Sequence, residues 1–337
     1  MTIPSAPASP EDSTPDLRSA LEQQRTRRRR SLLIAAGAVV GVGAVIGAAA
    51  LGASLLGGSA TADAAGGAAT EERLSITIAG SGESELQDAI ELVAEEQGLD
   101  VEWVNFENDW VLPNSSLVAG EVDANAFQHI AFLSAFNVAN DADLTPVFST
   151  VITQWGIFSS SIDDLDALEQ GDRVVIPDDA SNGGRALFIL EDAGLIELSD
   201  DAGVYPTVDD VTGNELGLEF VPVQATTIPQ QYDDPSIAAV VVGTSYFDPS
   251  QGVTKDDALF LDDSLADSSL PYVNVVATRA DNVDDPAFEI LQEVYQDERV
   301  AAGLDADSFG NSVLVDVSVN DLREHLAELE DFARELQ

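Results

Sequence analysis

The 337-residue chain contains no cysteine. That excludes disulfides, thiolate metal sites, a cysteine nucleophile and a lipid-bearing cysteine. Histidine is almost as scarce. His129 and His325 are the only two, too few for a multi-histidine metal site or a busy acid–base centre. Basic side chains number 14 against 61 acids, a formal net charge of −47. Nucleic acid is thereby excluded as a partner, because phosphate binding needs clustered Lys and Arg. No G-x-S-x-G, P-loop, H-E-x-x-H or dinucleotide fingerprint is present, and no nucleophile–base pair stands out. An enzyme is not expected, nor is a cofactor or a metal.

What is present suits two domains of ordinary size, with hydrophobic residues at 45% and enough apolar material for real cores. The charge is unevenly spread. Residues 1–58 hold six of the bases, all Arg, and four acids. Residues 59–337 therefore carry 57 acids against eight bases, of which Lys255 is the one lysine. Such a surface is well solvated, and it also fits adaptation to high salt, where screening relieves self-repulsion.

Residues 1–30 form a polar tail with Pro4, Pro7, Pro10 and Pro15, ending in the basic cluster Arg25–Arg30. Ser31–Gly58 then runs 28 residues without a charge. About 20 apolar residues span a bilayer, so the run predicts one transmembrane helix. Arginines directly before it place the N-terminus in the cytoplasm and the rest outside, on the cell membrane. A cleaved signal peptide is the alternative, with small residues around Ala60–Ala65 for cleavage, but its apolar stretch is normally half as long. Residues 59–72 (SATADAAGGAATEE) read as a flexible tether.

The folded region starts near Arg73. Leu74–Ala79 alternates like a strand, Glu83–Gln97 has helical spacing and is stopped by Gly98, and Val101–Phe106 is a second strand. This β-α-β beginning predicts a parallel sheet. Strands are also expected at Arg173–Pro177, Leu218–Val223, Ile237–Val242 and Tyr272–Thr278. Helices are expected at Gly184–Ala193, Phe288–Tyr295 and Val319–Leu336. The fold class is α/β.

Two apparent sites are decoys. Asp305–Asp316 imitates a calcium loop, but Phe309 occupies a ligand position and the closing glutamate is missing. Acidic pairs such as Asp163-Asp164, Asp200-Asp201 and Asp262-Asp263 read as solvated surface in so acidic a chain. Two segments are more specific. Phe106–Leu133 carries Trp110 in a loop and then the cluster Phe127-Gln128-His129 with Phe132. Ile176–Leu190 places small and polar residues between a strand and a helix N-terminus, where free N–H groups favour an anion. Arg185 adds a bidentate partner for a carboxylate. On the expected boundaries it falls in the first helical turn, against the dipole, as an arginine awaiting an anion would.

VNFENDWVLPNSSLVAGEVDANAFQH and IPDDASNGGRALFILEDAGLIEL together resemble the NlpA-type methionine-binding lipoproteins, the substrate-binding proteins of methionine ABC transporters. The likeness covers Leu74 to Asp316. It implies a two-lobed, periplasmic-binding-protein-like fold of type II, following the one N-terminal transmembrane helix. Residues 73–153 with 271–337 would form the first lobe and 154–270 the second. It implies an amino acid, methionine above all, held between the lobes and delivered to an ABC permease. Arg185 and Asn182 would hold the carboxylate and nearby polar groups. Trp110, Phe127 and Phe132 would wall the side chain, with His129 as a hydrogen-bond partner.

The departures from the family pattern fall on the same surface. Trp110 and Phe132 stand where tyrosines are usual, so two hydroxyls are lost. Gly243, Thr244 and Ser245 stand where an asparagine usually serves the ligand backbone, and Val151 replaces a histidine. The lipidated cysteine is absent, so the apolar run would be the anchor. The altered pocket leaves another apolar amino acid or a short peptide as the alternative ligand.

Overall fold

The computed structural model describes residues 73–335, except residue 108. The basic tail, the apolar run 31–58 and the tether all lie outside the described residues. Among the described residues no helix is long and apolar enough to cross a membrane.

Leu74–Gly80 alternates in sequence and pairs in parallel with Leu99–Asn105, residue for residue from Leu74 opposite Leu99 to Gly80 opposite Asn105. The intervening helix, Glu85–Glu96, starts at Ser84, whose side chain accepts from the Gln87 N–H. Its first two free N–H groups, of Glu85 and Leu86, donate to the Asp307 carboxylate at 3.0 and 2.8 Å. The false calcium loop therefore has a structural use. Asp305 and Asp307 sit in the helix Glu298–Ser308, and Asp307 caps a neighbouring helix.

The first sheet has the order Leu99–Asn105, Leu74–Gly80, Ala124–His129, Asn274–Arg279, Leu144–Ser149. Its first three strands are parallel, and Asn274–Arg279 runs antiparallel to both of its neighbours. Ile76, Ile78, Ile90, Val93, Leu291 and Val300 fill one face of this sheet. Leu117, Ile130, Leu133, Val275, Leu322, Leu326 and Leu329 fill the other. Burial of one such leucine is worth about 1.5–3 kcal/mol, which holds the C-terminal helix Val319–Glu335 to the lobe.

The second sheet has the order Glu219–Val223, Arg173–Pro177, Ala239–Gly243, Trp155–Phe158, Ala258–Leu261. Its first three strands are parallel and the last two antiparallel to their neighbours. The mixed sheets correct the purely parallel expectation. In each, a strand from elsewhere in the chain runs back between or beside the βαβ units.

The chain passes between the sheets near Val151–Thr153, a short strand that pairs with Ser312–Leu314, and again after Leu261. A third connection is made by side chains. Tyr205 projects from the part of the chain between the second sheet's strands into the core around Leu133 and Leu326. Its hydroxyl bonds Ser134 and the carbonyl of Ala131 in the helix Ile130–Asn140.

Candidate functional site

The carboxyl ends of the parallel strands of both sheets converge on one cavity of about 430 Å³. Ser81 follows Leu74–Gly80, His129 ends Ala124–His129, Asn182 and Arg185 follow Arg173–Pro177, and Ser245 and Tyr246 follow Ala239–Gly243. Ligands bind open α/β sheets at such ends, and the volume suits a small molecule. All seven residues singled out from the sequence line this cavity: Trp110, Phe127, His129, Phe132, Asn182, Arg185 and Ser245. Sequence reasoning missed Trp155, Tyr246 and Asn274, which line it too.

Local structure explains how the first motif is held. Asn114, Asn125 and Gln128 are buried. They close a ring of amide hydrogen bonds: Asn114 Nδ2 donates to Gln128 Oε1 at 2.7 Å, Gln128 Nε2 to Asn114 Oδ1 at 2.6 Å, and Asn125 Nδ2 to Asn114 Oδ1 at 2.8 Å. These amides pin the helix Leu112–Val118 to the strand that carries Phe127 and His129. At the neighbouring strand end, Gly80 lets Gln87 and Asn105 meet. A Cβ there would lie 2.5 Å from both side chains. Ser81 is thereby held at the cavity wall.

His129 caps the helix Ile130–Asn140, its Nδ1 accepting from the Phe132 N–H at 3.1 Å. An accepting Nδ1 leaves the proton on Nε2, which donates to Asn182 Oδ1 at 3.0 Å. Asn182 Nδ2 donates in turn to both Asp179 carboxylate oxygens at 3.1 Å. Burial lowers the pKa of His129 to about 4, with the positive charge of Arg185 acting the same way and the Asn182 bond partly opposing them. The imidazole is therefore neutral at pH 7.

The second motif corrects two expectations. The helix begins at Ala180, not Gly184, because Asp179 is its N-cap and accepts from the Asn182 N–H. Arg185 thus lies in the second turn, and no conflict with the dipole sets its role. Nor is it unpaired. Its Nη2 donates to Asp262 Oδ2 at 2.6 Å and to the Thr153 carbonyl at 2.8 Å, while its Nε is buried without a partner. Asp262 is no solvated carboxylate either, since its side chain is 10% exposed. The guanidinium carbon sits 4.8 Å from the ring centre of Trp155 and 4.5 Å from that of Tyr272, a cation–π setting.

Aromatic rings run edge-to-face across the cavity. Phe127 meets Phe132 at 6.1 Å, Phe132 meets Trp110 at 6.1 Å, Trp110 meets Tyr246 at 5.5 Å and Tyr246 meets Trp155 at 5.7 Å. Gly243 makes room for the last of these, since a Cβ there would come within 2.8 Å of the Trp155 indole nitrogen. The space near Gly243 is thus taken by an indole. The cavity sets one cation, Arg185 beside Trp155, at the start of a run of aromatic rings that reaches Phe127. Fold and cavity together define a two-lobed α/β binding protein, with no acid–base pair set for catalysis.

The NlpA lipoprotein family model matches residues 74–315. The chain belongs to that family, which comprises substrate-binding transport proteins and not enzymes. It is 36% identical over 223 residues to the D-methionine-binding lipoprotein MetQ of Escherichia coli strain K12, covering 66% of this chain and 80% of that one. It is 30% identical over 243 residues to Lipoprotein 28 of the same strain, covering 72% and 88%. Among solved structures, the methionine-binding protein MetQ superposes with a TM-score of 0.65 at 34% identity, over 72% of this chain and 99% of the other. A nutrient-binding protein from Burkholderia cenocepacia, solved bound to methionine, gives 0.65 at 29% identity, over 71% and 99%.

Proposed function

We propose that this protein captures methionine in the cavity between its lobes, outside the cytoplasm, and delivers it to an ABC importer. The observation that carries the reading is a single cavity lined both by Arg185 and Asn182 and by a run of aromatic rings. A carboxylate suits the cation, and a thioether suits edge contacts with Phe127, Phe132 and Trp110. The relatives named as methionine-binding support the choice of ligand. The uncharged run 31–58 behind Arg25–Arg30 would tether the protein to the cell membrane in place of a lipidated cysteine.

A second reading, another apolar amino acid or a short peptide, draws on Trp155 filling the space beside Gly243. Calorimetric titration of ligand-stripped full-length protein with L-methionine, D-methionine, leucine and a dipeptide decides between them. Tightest binding of a methionine enantiomer is expected. Tighter binding of leucine or the dipeptide would select the second reading, and no heat from any of them would remove both.

A further inference from the structure

Among the described residues Arg185 is the one lining the cleft that is charged at neutral pH, because His129 is held neutral. No carboxylate among the described residues lines the cleft. An amino acid nevertheless arrives with two charges, and the wall offers its ammonium only dipoles and aromatic faces, among them Asn274, Thr153 and Trp155. Negative charge stands one layer back, in Asp179 behind Asn182 and in Asp262 behind Arg185. Asp262 reaches Arg185 from a second cavity of about 320 Å³, which Arg185 also lines. Its other oxygen accepts from the backbone N–H of Trp155 at 2.9 Å, so the carboxylate is fixed in place. Asp192 and Asp263 line the same rear cavity.

We propose that Asp262 makes the cleft select a zwitterion over a plain carboxylate anion, acting through Arg185 without touching the ligand. The inference rests on the amino-acid reading above. The Arg185–Asp262 pair is neutral before a ligand enters. A zwitterion keeps the Arg185–Asp262 pair and its ligand neutral together, whereas a simple anion leaves that group with a surplus negative charge in a poorly screened site. The field of Asp262 repels the carboxylate of either ligand, but only the zwitterion recovers that cost through its ammonium. Asp262 is therefore a positioning and charge-balancing residue. A merely structural role, holding Arg185 in place, would weaken both ligands alike, since both bind by their carboxylate.

The experiment measures the affinity of full-length protein for L-methionine and for 4-(methylthio)butanoate, the same chain without its ammonium. In Asp262→Asn the preference for methionine should shrink by about tenfold or more relative to wild type. Asp262→Glu should restore it. Asp192→Asn removes a charge from the same rear cavity without altering the hydrogen bonds of Arg185, and should shift the preference the same way by about two- to threefold. It keeps the test open should Asp262→Asn fold poorly. A wild type that prefers methionine, with the same preference in Asp262→Asn, or in Asp192→Asn where the first variant is unfolded, overturns this inference alone. A wild type that binds neither compound overturns the methionine reading and this inference with it.

Discussion

His129 Nε2 donates to Asn182 Oδ1 across 3.0 Å, and this one hydrogen bond joins the N-termini of two helices, one from each lobe. It requires a neutral imidazole whose Nδ1 is free to accept from Phe132. The unfolded histidine titrates near 6.5 and the folded one near 4. The folded pKa is the lower one, so the unfolded chain binds the proton first as pH falls. Burial is the main cause of the shift and the Asn182 bond opposes it, so the stability of the buried neutral ring is intact above about pH 6.5 and is lost progressively down to about pH 4, to a limit of roughly 3 kcal/mol. His129→Asn keeps an oxygen to cap the helix but removes the titrating group. Thermal melts from pH 7 to pH 4 should show wild type losing more stability than this variant. Parallel curves would show that the buried imidazole carries no proton linkage.

Arg185→Ala is expected to weaken methionine binding by at least about tenfold, since a charge-assisted pair is worth roughly 1.5–3 kcal/mol. The structure adds a consequence that the sequence did not suggest. The variant leaves Asp262, only 10% exposed, without its partner. A loss of about 3 kcal/mol of stability should accompany the loss of binding. Arg185→Ala with Asp262→Ala should recover much of that stability and none of the affinity. Arg185→Lys should recover part of the affinity, because an ammonium lacks the planar two-point geometry. Titration and melts of all three variants check this. A double variant no more stable than Arg185→Ala would refute the account of the pair.

Local pattern was enough to read the strand at Arg173–Pro177, which has those bounds in the structure, and the helices at Ala287–Val294 and Val319–Glu335 to within a residue or two. Each is bounded by nearby turn residues and buries an apolar stripe. The helix Glu298–Ser308 was obscured because its acids imitate a metal loop, and one of them caps a distant helix. Six of the seven candidate residues lie in two strings, Phe106–Leu133 and Ile176–Leu190, whose composition is unusual for so acidic a chain, and Ser245 came from a departure from the family pattern. Asp262 was not legible. It lies 77 residues from Arg185 and is one of 57 acids outside the first 58 residues. Only the pairing of Trp155–Phe158 with Ala258–Leu261 brings it to the guanidinium. Trp155 and Tyr246 were hidden for a similar reason, since apolar rings in strand-like text read as core.

Gly203 supports the third tie between the lobes. It holds φ near 63° directly against the ring of Phe332, two residues before Tyr205. Gly203→Ala adds left-handed strain and a collision with that ring, together about 3 kcal/mol. Gly217→Ala is the control, at φ 57° with open space around it, and should cost only the strain, about 1 kcal/mol. Chemical denaturation of both variants measures the difference. Equal losses would mean that Phe332 yields freely and that the tie through Tyr205 is loose.

Outside the first 58 residues, 57 acids face eight bases, so most carboxylates have no cation to pair with. The ion pairs that form are mostly exposed, such as Arg334 with Glu330 and Asp331, and are worth little singly. Self-repulsion should therefore destabilise the folded chain at low ionic strength, and screening should relieve it as the Debye length falls from about 10 Å at 0.1 M to 3 Å at 1 M salt. The melting temperature is expected to rise by at least about 5 °C from 0.1 to 2 M NaCl, which corresponds to roughly 1–2 kcal/mol for a domain of this size. The buried Arg185–Asp262 pair is shielded from salt by its own burial, so the double alanine variant should show the same slope. Sucrose at matched osmolality separates screening from general exclusion, since it adds no ions. A flat or falling melting temperature in NaCl, or an equal rise in sucrose, would show that the acidic surface serves solvation alone.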